Sequence, residues 1–219
     1  RELIDFSNAA FYSSSLGIAP NISRDKKHPP IERCLVDGKW IGRKNETEAR
    51  RVVELLAEIF KTRRNNESIG IITFNSDQQS HIADMIDKAA ARDPEFRSNI
   101  LKETHRFENG EDTSLFIKNL ENVQGDERDI IIFSIAYAPG ADGKLHTNFG
   151  SLSQEGGENR LNVAITRAKS KTVIVTSIEP EELKVEGSKH LGPKLLKKYL
   201  MYVRAVAKGD EEEARVILS

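Results

Sequence analysis

The sequence predicts an α/β domain with a mainly parallel sheet, and three observations carry that prediction. The runs Ile130-Ile131-Ile132-Phe133 and Val173-Ile174-Val175 are continuous rather than alternating, as expected of strands covered on both faces. Residues 68 to 89 read as strand, tight polar turn and amphipathic helix, the repeating unit of a parallel sheet. The length of 219 residues with 38% apolar side chains is enough for one large core.

Each element follows from local chemistry. Cys34-Leu35-Val36-Asp37-Gly38-Lys39-Trp40-Ile41 carries Asp-Gly between short apolar runs, a hairpin signal. Residues 1 to 44 are expected to form an entry segment, with a helix and this hairpin packing on the lobe. A helix over 45–64 opens with Asn45 and Glu48 at capping-box spacing and carries the stripe Ala49, Val52, Val53, Leu56 and Phe60. Ser68 to Phe74 is a strand, followed by a helix capped through Ser76 and Gln79, with Ile82, Met85, Ile86 and Ala89 on one face. Further strands are expected at 114–118, 129–137 and 171–177, and a Gly-rich stretch, 139–157, leads into a helix over about 159–169. The last helix, about 193–206, repeats Leu196, Tyr199, Leu200 and Val203 at the helical period. The lobe proper is expected over 45–206, with 207–219 as a frayed tail bearing Asp210-Glu211-Glu212-Glu213.

Composition narrows the function classes. Lys and Arg total 33 against 34 Asp and Glu, a net charge of −1, so bulk charge gives no nucleic-acid signal. No apolar run approaches the ~18 residues of a membrane span, and the first residues lack the layout of a signal peptide. The one cysteine, Cys34, and the scattered His28, His81, His105, His146 and His190 show no metal-ligand spacing. A reduced cytoplasmic protein with no metal site of its own is the expectation. The abrupt start suggests a piece of something longer.

Ligands of open parallel sheets gather beyond the carboxyl ends of the strands, which directs attention to 73–76, 120–128, the stretch from Ala138 and the residues after Ser177. Glu121 to Asp129 packs amides and charges around Gly125, immediately before a buried strand. A glycine there lets a backbone N–H approach a phosphate or sugar, while Gln124 and Glu127 offer an amide and a carboxylate. Taken alone, the string also suits a solvated turn. On a helical wheel, Leu161, Ala164, Ile165 and Ala168 form a stripe with Arg160 and Arg167 about 20° apart on its flank. Two guanidinium groups there, beside Gly156-Gly157 and with Asn162 and Thr166 on the other flank, suit a polyphosphate better than a lone snorkelling arginine would.

At these residues the sequence resembles a known family. Glu158-Asn159-Arg160-Leu161-Asn162-Val163-Ala164-Ile165-Thr166-Arg167-Ala168-Lys169 resembles motif VI of superfamily-one helicases, and Val123-Gln124-Gly125-Asp126-Glu127-Arg128-Asp129 resembles their motif V. Phe6-Ser7-Asn8 with Phe11-Tyr12 resembles the segment after motif IV, and Ile69 to Gln78 the strand-turn-helix that carries a nucleic-acid contact. The resemblance spans roughly residues 1 to 206. It lies nearest the branch containing the helicase of nonsense-mediated decay, and within it large bacterial proteins sharing the string Leu120 to Arg128.

The resemblance implies a RecA-like three-layer α/β/α lobe, the second of two. It implies ATP and magnesium shared with a first lobe, which would also be a partner, and single-stranded DNA or RNA as the nucleic-acid partner. Arg167 would be the arginine finger and Arg160 a supporting contact. Gln124 and Gly125 would couple the nucleotide and nucleic-acid sites, with Glu127 near the ribose or phosphates. Thr73, Asn75 and Gln78 would lie along the single strand, as would Asn162 and Thr166. The family's Thr-Pro-Tyr turn reads Thr73-Phe74-Asn75 here. No Gly-x-x-x-x-Gly-Lys-Ser/Thr loop is present, because Gly38-Lys39 and Gly143-Lys144 lack both the upstream glycine and the following hydroxyl residue. The chain is therefore expected to be inactive alone. The competing reading is a helicase-like binding or scaffold module without motor activity.

Overall fold

Five strands lie side by side in one sheet, all parallel, in the order Ile31–Leu35, Ala168–Thr176, Arg128–Ser134, Ile69–Thr73 and Phe116–Asn119. The structure, a computed structural model, describes residues 2–12, 29–146 and 148–219. In chain order these comprise α1 (Glu2–Tyr12), β1 (Ile31–Leu35), α2 (Glu46–Thr62), β2 (Ile69–Thr73), α3 (Ser76–Arg92) and α4 (Pro94–Thr104). There follow the short pair β3 (Phe107–Glu108) and β4 (Glu111–Asp112), then β5 (Phe116–Asn119), β6 (Arg128–Ser134), α5 (Gly157–Ile165), β7 (Ala168–Thr176), α6 (Leu191–Lys208) and α7 (Glu211–Leu218).

Side-chain alternation along the central strands divides the core. Ile69 and Ile71 of β2, Ile130 and Ile132 of β6, and Val173 and Val175 of β7 pack under α2, α3 and α4. Ile72, Ile131, Phe133 and Ile174 point the other way, into the layer of α1, α5, α6 and α7. Continuous apolar runs in the sequence thus become two faces of a three-layer α/β/α domain of the RecA-like kind. Gly70 leaves space for a neighbour: a Cβ there would lie 2.4 Å from the Phe116 ring.

Several local expectations need correction. Asp37-Gly38 does not turn a hairpin, because β1 pairs in parallel with β7 as an edge strand. The tight turn falls at Gly42 and Arg43, with φ of 58° and 64°, closed by reciprocal backbone bonds between Ile41 and Lys44. Helix α3 is capped by Asn75, whose side chain accepts from the Gln78 N–H, and not by Ser76. Asn45 does cap α2, but the Glu48 carboxylate does not return to it as a capping box requires: the Asn45 N–H donates to Gln78 Oε1 instead.

Helix α5 stops at Ile165 rather than 169. The Thr166 hydroxyl donates back to the carbonyls of Asn162 and Val163, and the chain enters β7 at Ala168. Residues 207–219 hold α7, which buries Ala214 and Ile217 against the core. Helix α4 went unpredicted despite a clear start, Asp93 capping Glu95 and Phe96 with Pro94 in the first turn. No described helix is long and apolar enough to cross a membrane.

Candidate functional site

The motif-like segments meet at the amino ends of β6 and β7, not at the carboxyl ends that the general rule for open sheets selects. The loop 120–127 leaves the carboxyl end of β5 and delivers Glu127 to the start of β6, where the Arg128 N–H donates to the Arg167 carbonyl at 3.1 Å. Arg167 is 17% exposed at its side chain. Its Nε donates to the Val163 carbonyl at 2.8 Å and Nη2 to the Thr166 hydroxyl at 3.0 Å. The remaining Nη1 lies 3.6 Å from Glu127 Oε1, a half-exposed carboxylate. The guanidinium is thus fixed along one edge and faces outward on the other.

The loop before Glu127 is built to expose its backbone. Leu120 and Val123 bury into the α5 layer, Gln124 and Gly125 are exposed, and Gly125 has φ of 86°, which favours glycine. Lys118 holds Asp126 at 2.6 Å. Arg128, to which no role fell from sequence, braces the loop from below. It is buried against the Phe116 ring, with Nε donating to the Ser114 carbonyl and Nη1 to that of Glu127. Its place after Glu127 in the quoted string was the available signal.

Arg160 does not join Arg167. Seven residues align two side chains on a wheel but separate them by ~10 Å along the axis. Arg160 Nη1 donates to the carbonyls of Ser151 and Glu155, tying α5 to the short helical turn Gly150–Ser153. Asn162 faces α1, accepting from the Ser7 hydroxyl and donating to Tyr12 Oη. Thr166 is bound locally, as described, so both side chains are engaged within the fold.

At the opposite edge, a polar cluster joins the carboxyl ends of β2, β6 and β7. Thr73 and Gln78 are fully buried there. The Thr73 hydroxyl donates to the Asn75 carbonyl, and the Gln78 amide bonds to the Asn45 backbone and to Ser134 Oγ. These two side chains support the edge rather than line it. Asn75 is partly exposed, its Oδ1 capping α3.

Glu48 forms the centre of the cluster. It is fully buried, taking bonds from Ser134 Oγ at 2.8 Å, the Ala136 N–H at 2.7 Å, Ser177 Oγ at 2.9 Å and Asn45 Nδ2 at 3.3 Å. No cation is among these partners, and burial pushes its carboxyl up to about 7 against the pull of its donors. Gly38 closes the cluster, since a Cβ there would meet Asn45 Oδ1 at 2.3 Å. Among the described residues, no three His, Cys, Asp or Glu side chains come together to hold a metal ion.

Comparison with known proteins adds the family. Over 214 residues the chain is 39% identical to a Mycoplasma genitalium protein named an uncharacterized ATP-dependent helicase. It is 40% identical over 212 residues to the homologue of that protein in Mycoplasma pneumoniae. These matches cover 97% and 96% of the chain but 18% of each relative, so the chain spans under a fifth of their length. Among solved structures, the C-terminal domain of a possible DNA helicase from Lactobacillus plantarum aligns with a TM-score of 0.45 at 15% identity, covering 85% of this chain and 92% of that one. Residues 1–179 match the family described as AAA domain. With most of its length matched, the chain belongs to the AAA domain family.

Proposed function

We propose that the chain is the C-terminal motor lobe of an ATP-dependent superfamily-one helicase, completing an ATP site with Arg167 and binding single-stranded DNA or RNA. One observation carries the reading: Arg167 is anchored through Nε to a main-chain carbonyl while Nη1 is held only by the half-exposed Glu127 carboxylate at 3.6 Å. A finger needs that combination of a fixed aim and a nitrogen whose partner is exchangeable. The string Leu120 to Arg128 supports assignment to the branch named above, and the single cysteine suits a reducing cytoplasm.

ATP with magnesium would supply the reactive phosphoryl group and its counter-charge, held mainly by a first lobe. This chain's part is narrower. Arg167 leaves Glu127 to meet charge developing on the γ-phosphoryl oxygens, and the released Glu127 carboxylate is free to accept from a ribose hydroxyl. The Gly125 backbone and Gln124 amide form the surface against the nucleotide. Arg160 acts at a distance, holding the approach to α5. Thr73 and Gln78 act as supports for a strand path at the carboxyl edge, where Asn75 is the partly exposed member; Asn162 and Thr166 brace α5 against α1 and the start of β7.

The test uses the intact parent protein. Arg167→Ala lowers kcat for ATP by roughly 10³ or more while the melting temperature changes little, and Arg167→Lys rescues poorly, because a point ammonium does not reproduce the planar fork. Near-normal turnover in Arg167→Ala defeats the finger and favours a scaffold module.

A further inference from the structure

Among the described residues, four other than glycine have positive φ: Arg43, Asn66, Asn109 and Ala136. Asparagine tolerates that region, whereas arginine and alanine occupy it at a cost and persist only where their surroundings hold them. Both costly positions flank the same side chain, Trp40, at the carboxyl edge of the sheet.

The surroundings are built in layers. The Glu48 carboxylate holds the Ala136 N–H at 2.7 Å, and the resulting bend places Tyr137 under Trp40, ring centroids 5.0 Å apart. Tyr137 in turn meets Phe149 edge-on at 5.0 Å. The Trp40 N–H donates to the Pro139 carbonyl, fixing the loop 36–44 across the edge. Trp40 itself is only partly buried, while Lys39, Arg43 and Lys44 around it are exposed. Arg43 pairs with Asp77 at the start of α3, and among the described residues Lys39 and Lys44 form no ion pair. A cleft on the same loop is lined by Lys39, Lys44 and His81 and also by the carboxylates Asp37 and Glu46, the latter bonded to His81 Nε2 at 2.6 Å, so the two lysines are its uncommitted cations among the described residues.

A rigidly supported aromatic face with exposed lysines beside it suits a nucleobase and its phosphates, since every base has a π-face and stacking tolerates sequence. We infer that Trp40 is a base-stacking platform for single-stranded nucleic acid, with Lys39 and Lys44 as phosphate contacts. The inference rests on the reading of the chain as a nucleic-acid motor lobe, and moves the contact surface from the buried Thr73 and Gln78 to the loop above them. It lies at the opposite end of the sheet from Arg167, so the two surfaces can be occupied together.

Trp40 is the single tryptophan of the chain, so its own fluorescence reports the contact. In low salt, the 219-residue chain is titrated with oligo(dT) of twenty nucleotides, and with an abasic oligonucleotide of the same length, while anisotropy of labelled oligo(dT) follows binding independently. The expected result is quenching by oligo(dT) and much less by the abasic strand. Trp40→Ala should weaken anisotropy-detected binding by about five- to a hundred-fold, and Trp40→Phe should restore most of it. Binding seen by anisotropy without change in Trp40 emission, or equal quenching by the abasic strand, overturns the platform and leaves the motor reading standing. No binding by any probe removes the nucleic-acid part of that reading as well. Both wild-type titrations need no variant, so a misfolded Trp40→Ala does not shield the inference.

Discussion

Glu48 is a carboxylate buried at the carboxyl ends of the strands and held by neutral donors alone. Its position three after Asn45 marked a helix start correctly, but its acceptors are used by Ser134 and Ser177, 86 and 129 residues further along the chain. A buried carboxylate with donors but no cation has a definite pH signature. Unfolded, the group titrates near its ordinary 4.5; folded, it titrates at about 7. Between these values the native state holds a proton that the unfolded state has lost, so stability falls as pH rises through that window. The shift corresponds to about 3 kcal/mol, fully felt above pH 7. Urea unfolding from pH 5 to 8 should therefore show a loss of stability in the wild type that Glu48→Gln largely lacks, since the amide mimics the protonated form; parallel profiles would remove Glu48 as the titrating group. Arg160 and Arg167 teach a complementary lesson. The wheel carried the helix through Arg167, whereas α5 ends at Ile165, and it contains no axial coordinate; nothing in the periodicity announced that Thr166 would end α5 by bonding backwards.

Among elements, the central strands were legible because burial on both faces leaves an apolar run that little else resembles. The edge strand β1 was not, since only one side of it is paired. Its Glu32 and Arg33 reach Lys171 at 2.7 Å and Glu179 at 2.9 Å, which makes the sequence look like loop. Helix α4 was missed for a related reason: one of its three buried positions is charged. Glu103 lies between Arg63 and Arg106, its side chain only 3% exposed, while Phe96 and Ile100 supply the apolar remainder. Removing one member of a buried ionic cluster leaves uncompensated charge, so Glu103→Ala should cost roughly 3–5 kcal/mol in denaturant unfolding. A cost below about 1 kcal/mol, the range of exposed pairs, would mean that water reaches these arginines.

For the whole molecule, the sheet separates two chemistries, Arg167 and Glu127 at the amino ends of the strands and the Glu48 cluster with Trp40 at the carboxyl ends. The three-layer core that holds them apart was predictable from pattern. The assignment of the motif segments to the amino ends was not, because it depends on the crossover after β5. All the other crossovers between sheet strands return through helices, whereas residues 120–127 go back without one, through backbone turns closed by Asn122 to Asn119 and by Asp126 to Val123. The register sets Asn119 level with Ser134, six residues beyond Arg128, so the loop must cover ~20 Å along the strands and two strand spacings across them. Nine residue steps extend to at most ~32 Å, and the two turns take up much of the difference. Inserting Gly-Gly after Asn122 in the parent should therefore preserve folding and single-strand binding but lessen the stimulation of ATP turnover by nucleic acid; unchanged stimulation would show that the loop transmits nothing. With both turns closed the segment has no free length to give, so a displacement at Asn119 reaches Glu127 for as long as those two backbone bonds hold, and opening either one lets out the slack.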